Sequence, residues 1–189
     1  MHPMEWRRER CTTGRLACLN LEGSEIIPGI AFDAESRYRA IADDPHNYCM
    51  LLYPGPGALD LGRDPFPREV LGGRRLVVFL IDATWACARV VARESPGLMT
   101  LPRLAFTPRE KSRWTIKRQP AAWCLSTLEA VHELLLSLDE AGVGPYPDRE
   151  RLLSAFAAMQ AYQVERQALE ASPRWIGKGR KKGGPGPLG

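Results

Sequence analysis

Four consecutive residues, Asp82-Ala83-Thr84-Trp85, hold the side chains best suited to chemistry. They follow the apolar run Leu76-Val-Val-Phe-Leu-Ile81, where a buried strand gives way to a helix, and open α/β sheets bind ligands at such strand ends. A carboxylate there can accept a proton or hold a hydroxyl or amine. Thr84 offers a hydroxyl and a helix cap, and Trp85 a flat wall on which a base can stack. The competing reading is that Asp82 and Thr84 only cap the helix and Trp85 is core. Tyr53-Pro54-Gly55-Pro56-Gly57 ends a second apolar run, so its loop is expected at the same sheet edge. It is not a dinucleotide fingerprint, because Asp60 stands where a third glycine belongs, and no phosphate-binding loop motif occurs elsewhere. Ser126-Thr127-Leu128-Glu129 is a capping box, and the helix end it opens favours a carboxylate or phosphate. His2, His46 and His132 are scattered, and Cys49 and Cys87 sit in apolar surroundings, so no Cys–His nucleophile pair stands out.

These residues need a scaffold, and the hydrophobic pattern supplies one. Tyr48–Tyr53 and Leu76–Ile81 lack the polar alternation of a half-exposed sheet. They predict a mostly parallel α/β sheet flanked by helices on both faces. Arg15–Leu21 reads as a first strand and Leu101–Phe106 as another, interrupted at Pro102. Helices are expected over Ala34–Asp43, from Thr84 to Pro96 (Trp85, Ala88, Val91 and Ala92 on one face), from Ser126 to Gly142, and over roughly 149–171. The last carries Leu152, Leu153, Phe156, Met159 and Tyr162 on its apolar face and closes at Pro173.

The chain has 189 residues, 44% apolar and 25% charged, which is ample for one core and excludes wholesale disorder. No run is long enough to span a bilayer, and no signal-peptide pattern opens the chain. Five cysteines without a Cys-x-x-Cys pair argue against a disulfide framework or a self-contained zinc site, so no metal is expected, and the chain reads as a cytoplasmic protein with reduced thiols. The net charge of +4 is unevenly spread. Five cations and no acid follow from Arg174, which leaves residues 1–173 at −1. Within them, residues 103–118 carry a local +5 and residues 133–170 a local −4, so one basic side faces a polyanion if the charges are not merely solvated. The expected organisation is a catalytic domain over 1–173 and a basic, Gly/Pro-rich flexible tail over 174–189.

Together the motifs resemble the DTW-domain family. Asp82-Ala83-Thr84-Trp85 matches its Asp-x-Thr-Trp signature. Further matches follow in family order: His2-Pro3-Met4-Glu5, Thr13-Gly14-Arg15, Leu52-Tyr53-Pro54, Leu101-Pro102-Arg103, Lys117-Arg118-Gln119-Pro120 and Leu125-Ser126-Thr127-Leu128-Glu129. The resemblance implies a tRNA-uridine aminocarboxypropyltransferase, a transferase of tRNA modification whose co-substrate is S-adenosylmethionine. It also implies a SPOUT-like α/β fold with a C-terminal trefoil knot. On that basis Asp82 is the candidate base for uridine N3. Leu52, Tyr53, Pro54, Thr84, Trp85, Leu101 and Leu125 would wall the S-adenosylmethionine site. Arg103 or Arg118, or the helix end opened by Ser126 and Thr127, would meet its carboxylate. Arg15, Arg113, Lys117 and Arg118 would grip tRNA phosphates. Two rival functions remain, a SPOUT-type RNA methyltransferase and a non-catalytic RNA-binding module. Many relatives carry a Cys-rich segment before the His-Pro stretch, where this sequence has only Met1. Trp114 stands where they often have Tyr, and Lys117 where they often have Arg, which loses a bidentate fork. The sequence does not fix the oligomeric state.

Overall fold

The two apolar runs form adjacent parallel strands at the centre of the molecule. The computed structural model describes residues 1–3, 11–116, 121 and 123–170. Lys117, Arg118, Gln119, Pro120, Met4, Glu5, the N-terminal Arg7, Arg8 and Arg10, Pro173 and the basic tail from Arg174 lie outside the described residues. Strand β1 (Asn47–Leu52) and strand β3 (Arg75–Leu80) pair in parallel from Asn47↔Arg75 to Leu52↔Leu80. Strand β4 (Arg103–Ala105) lies on the other side of β1, with Leu52 opposite Leu104, and the two-residue β2 (Leu59–Asp60) completes the order β2-β4-β1-β3. Every pairing is parallel, as strands buried on both faces require.

Side chains alternate between two apolar layers. On one face Leu51, Tyr53, Phe79 and Ile81 pack with Phe32, Tyr38, Val91 and Leu98. These come from the Phe32 loop and from three helices: α2 (Ser36–Ala42), α3 (Trp85–Glu94) and the short α4 (Pro96–Met99). On the other face Tyr48, Met50, Leu52, Leu76 and Val78 meet Phe66, Leu104 and the Leu134–Leu138 side of α5 (Thr127–Glu140). A third cluster ties α5 through Leu128 and Val131 to α6 (Arg151–Glu170), which supplies Leu152, Phe156 and Met159. Leu51, Leu104, Leu128 and Phe156 have almost no exposed surface, and burying each contributes about 1.5–3 kcal/mol.

Three expectations need correction. Arg15–Leu21 is not a strand: Thr13–Asn20 is a helix, α1, in the third cluster. Its N-cap Thr12 accepts from Arg15 N at 3.2 Å, and Gly14, Ala17 and Leu21 recur at the spacing of one helical face. The apolar run is too short for its composition to distinguish strand from helix, and the cap decides. The strand expected over Leu101–Phe106 shrinks to Arg103–Ala105: Pro102 has no N–H, although its carbonyl accepts from Leu51 N at 2.9 Å. On α6 the apolar face stops at Met159. Tyr162, expected inward, is 58% exposed, because nothing described packs over the last turns. Among the described residues no helix is long and apolar enough to cross a membrane.

Candidate active site

Parallel pairing of Leu52 with Leu80 ends β1 and β3 side by side, so the loops beginning at Tyr53 and Ile81 leave from one sheet edge. There Asp82 is partly buried. Its Oδ1 accepts a hydrogen bond from Thr127 Oγ1 at 2.6 Å, and its backbone carbonyl accepts from His2 N at 3.1 Å. Oδ2 is buried and has no hydrogen-bond donor among the described residues. Gly14, on the first turn of α1, lies directly against this carboxylate. Asp82 thus stands where β3 ends and two helices, α1 and α5, begin.

Thr84 is the N-cap of α3 and accepts from Cys87 N at 3.4 Å. Trp85, on the first turn, is 47% exposed, so its side chain is not core as Ala88 and Val91 are. Its ring meets Tyr53 edge-on, centroids 6.4 Å apart at 63°. The Pro-Gly loop is held in turn by Arg103, whose Nη2 donates to the Pro56 carbonyl. Gly55 and Gly57 take φ of 142° and 75°, which favours glycine at both. Leu52 and Leu101 are partly buried beneath the loop on opposite faces of the sheet, and Pro54 is exposed.

The α5 end carries the expected capping box. Ser126 Oγ accepts from Glu129 N at 3.3 Å and Glu129 Oε2 accepts from Ser126 N at 2.8 Å, a complete capping box. Both hydroxyls are therefore engaged within the protein, Ser126 in the box and Thr127 on Asp82. Leu125, partly buried, lines a groove with Arg109, Arg113, Glu129 and His132.

That groove belongs to the basic segment before α5. Arg109 forms a bidentate pair with Glu140 at 2.7 and 2.6 Å, with Glu133 at 3.6 Å, and Arg113 pairs with Glu110 at 3.0 Å. The Glu140 hydrogen bond raises the Arg109 pKa and lowers that of Glu140, while burial raises that of Glu133 against the pull of Arg109. Burial also lowers the His132 pKa, with Arg113 adding to the effect, and its Nδ1 lies 3.0 Å from Tyr146 Oη. The local excess of positive charge is thus partly neutralised within the fold. Arg113 is exposed and Arg15, beside Gly14, is partly buried.

Several contacts that fix this geometry were not read from the sequence. Beyond its cap, Glu129 accepts from Ser112 Oγ at 2.9 Å and Arg113 N at 2.5 Å. Gln160 accepts from Thr115 N and Oγ1 at 2.7 and 2.8 Å and donates to Arg113 O at 3.0 Å. Trp114, between them, packs edge-on against Phe156 at 4.9 Å. Residues 112–115 of the basic segment are therefore tied to α5 and α6. A buried Gln on an otherwise apolar helix face was the one available signal. The contact of Gly14 with Asp82 is another, although the resemblance quoted Gly14 without assigning it any function.

The chain is 28% identical over 177 residues to tRNA-uridine aminocarboxypropyltransferase 2 of Drosophila melanogaster, covering 89% of this chain and 64% of that protein. It is 27% identical over 169 residues to the Mus musculus protein of the same name, covering 88% and 54%. The chain thus spans less than two thirds of the length of either relative. No solved structure matches it. The DTW domain model matches residues 1–164, nearly all of the described structure, and the chain belongs to the DTW domain family.

Proposed function

We propose that the protein transfers the 3-amino-3-carboxypropyl group of S-adenosylmethionine to N3 of a uridine in tRNA, releasing methylthioadenosine. One observation carries the reading: a carboxylate is fixed at the ends of parallel strands, beside an exposed tryptophan, in a chain whose relatives are named tRNA-uridine aminocarboxypropyltransferase 2.

When bound, S-adenosylmethionine supplies a methylene carbon activated by an adjacent sulfonium. Uridine N3 carries a proton and is a weak nucleophile until it is lost. Asp82 is the proposed base. Its Oδ2 is closed off against Gly14, whereas Oδ1, with one donor in Thr127, keeps a second lone pair for the N3 proton. As that proton moves to Oδ1, the N3–carbon bond forms and the carbon–sulfur bond breaks, its electron pair passing to sulfur. The exposed face of Trp85 and the ring of Tyr53 fit the adenine and methylthio ends, with Leu52, Pro54 and Leu101 behind them and Thr84 at their rim. Arg103 gives one donor to Pro56, which leaves others of its five N–H groups for the donor carboxylate. Leu125, just before the α5 end, is the remaining wall residue in this reading. Arg113 and Arg15 are the proposed phosphate contacts within the described residues, with Lys117 and Arg118 beyond them. We read the parallel sheet as the core of a SPOUT-like fold, and the C-terminal knot remains part of that proposal.

The test is incubation of purified protein with unmodified tRNA and S-adenosylmethionine labelled in the carboxypropyl arm, followed by nucleoside mass spectrometry. Label is expected in 3-(3-amino-3-carboxypropyl)uridine. A methylated nucleoside, or saturable tRNA binding without any transfer, would replace this reading with one of its rivals.

A further inference from the structure

Gly14 has no backbone reason to be glycine. It sits inside α1 with φ outside the positive range, where alanine would favour the helix. Its reason is the neighbour: a Cβ at position 14 would stand 2.2 Å from Asp82 Oδ2 and 2.5 Å from Cγ, closer than real Cβ atoms approach. The carboxylate cannot escape by turning about its own axis, since a half-turn only exchanges the two oxygens. Nor can it swing aside freely, because Thr127 Oγ1 holds Oδ1 at 2.6 Å and His2 N holds the backbone carbonyl. Relief would need a new side-chain rotamer that abandons Thr127, or a shift of α1 away from the end of β3.

We propose that Gly14 and Thr127 are positioning residues for Asp82. Glycine leaves the space that Oδ2 fills, and the threonine hydroxyl fixes Oδ1, so one oxygen alone is offered to the substrate. This rests on Asp82 being the base proposed above. It assigns the two residues to kcat rather than to binding, because the Thr127 hydroxyl donates to Asp82 and Gly14 has no side chain with which to hold a ligand.

The experiment compares Thr127→Val, Thr127→Ser and Gly14→Ala with the wild-type full chain. It measures the transfer rate at saturating tRNA and S-adenosylmethionine, the KM for each, and S-adenosylmethionine binding by calorimetry. Thr127→Val should lose about 10²-fold or more in kcat, the scale of a misplaced general base, with both KM values changed less than about threefold. Thr127→Ser should recover most of the rate, since it keeps the hydroxyl. Gly14→Ala should resemble Thr127→Val. A wild-type kcat in Thr127→Val, a loss that Thr127→Ser does not restore, or a loss confined to KM would overturn the proposal. If Gly14→Ala does not fold, the Thr127 pair still decides. If the wild-type chain transfers nothing, the functional reading fails instead. The steric lock is then read from unfolding: Gly14→Ala should lower Tm in the wild-type background but not in Asp82→Ala, and equal effects in both would refute it.

Discussion

Replacing Glu129 with glutamine keeps the shape of the side chain and removes its charge, which isolates what the carboxylate does. The residue is 4% exposed and accepts three hydrogen bonds: Ser126 N and Ser112 Oγ on Oε2, and Arg113 N on Oε1. An amide has one acceptor and one donor end. With its oxygen in place of Oε2 it keeps Ser126 and Ser112 and sets its NH2 against the Arg113 N–H. Turned over, it keeps Arg113 and can donate to the Ser112 hydroxyl, but sets its NH2 against the Ser126 N–H. Either orientation leaves a buried N–H facing another donor, at about 1–3 kcal/mol. It also turns two charge-assisted bonds into neutral ones, each about half as strong. The expected loss is about 3 kcal/mol, or about 6–12 °C in Tm for a domain of this size. Thermal and urea unfolding followed by circular dichroism measure it. Glu140→Gln is the control, since its pair with Arg109 lies at the surface and should be worth less than about 1 kcal/mol. If Glu129→Gln costs no more than Glu140→Gln, the carboxylate is not the clamp described here, and the basic segment must be held by Trp114 and Gln160 alone.

Gln160→Leu should act on the same segment from the other side. It strips partners from Thr115 N, Thr115 Oγ1 and Arg113 O, so we expect a loss of at least about 2 kcal/mol in stability together with weaker tRNA binding, measured by filter binding at two salt concentrations. Unchanged tRNA affinity in a folded Gln160→Leu protein would separate this segment from the RNA. His132 gives a pH signature: its pKa is lowered by burial, reinforced by Arg113 and Arg109 and opposed by Glu150 and Glu110. The unfolded chain therefore binds the proton first, so the stability is fully present above the ordinary value of 6.5 and is lost as pH falls through it toward the lowered value. Glu133 works in the opposite sense, its raised pKa adding stability that is present below the ordinary 4.5 and lost as pH rises through its raised value. The difference in Tm between wild type and His132→Gln across pH 5 to 8 isolates the histidine, and a pH-independent difference would contradict its assignment.

The central strands were readable because burial on both faces leaves an unbroken apolar run, and Tyr48–Tyr53 and Leu76–Ile81 have little else to be. The α5 capping box was readable for a similar reason, since its two reciprocal bonds are local and Ser126 and Glu129 are three residues apart. Helix α1 was misread because Leu16, Leu19 and Leu21 suggested an apolar strand, whereas Leu19 is 82% exposed and the buried positions are the small Gly14 and Ala17. Small residues mark close approach between elements, and hydropathy gives them little weight. The end of the apolar face on α6 was equally invisible, because Tyr162 continues the helical period but nothing described covers it.

The site shows the same limit at the level of chemistry. From the sequence, Asp82 and Thr84 could both cap α3 while Trp85 filled the core, or all three could face a ligand. The structure divides the two readings residue by residue. Thr84 does cap, accepting from Cys87 N, and a single hydroxyl suffices for that. Trp85 does not fill the core. Asp82 takes no part in capping α3 and reaches a hydroxyl 45 residues further on, at the first residue of α5. No local pattern could have revealed that, because the bond depends on where α5 begins relative to the end of β3. A carboxylate that served only as a cap would gain nothing from a glycine pressed against it 68 residues earlier in the chain. One whose orientation matters to a reaction would need both that space and that donor, and the sequence supplies both.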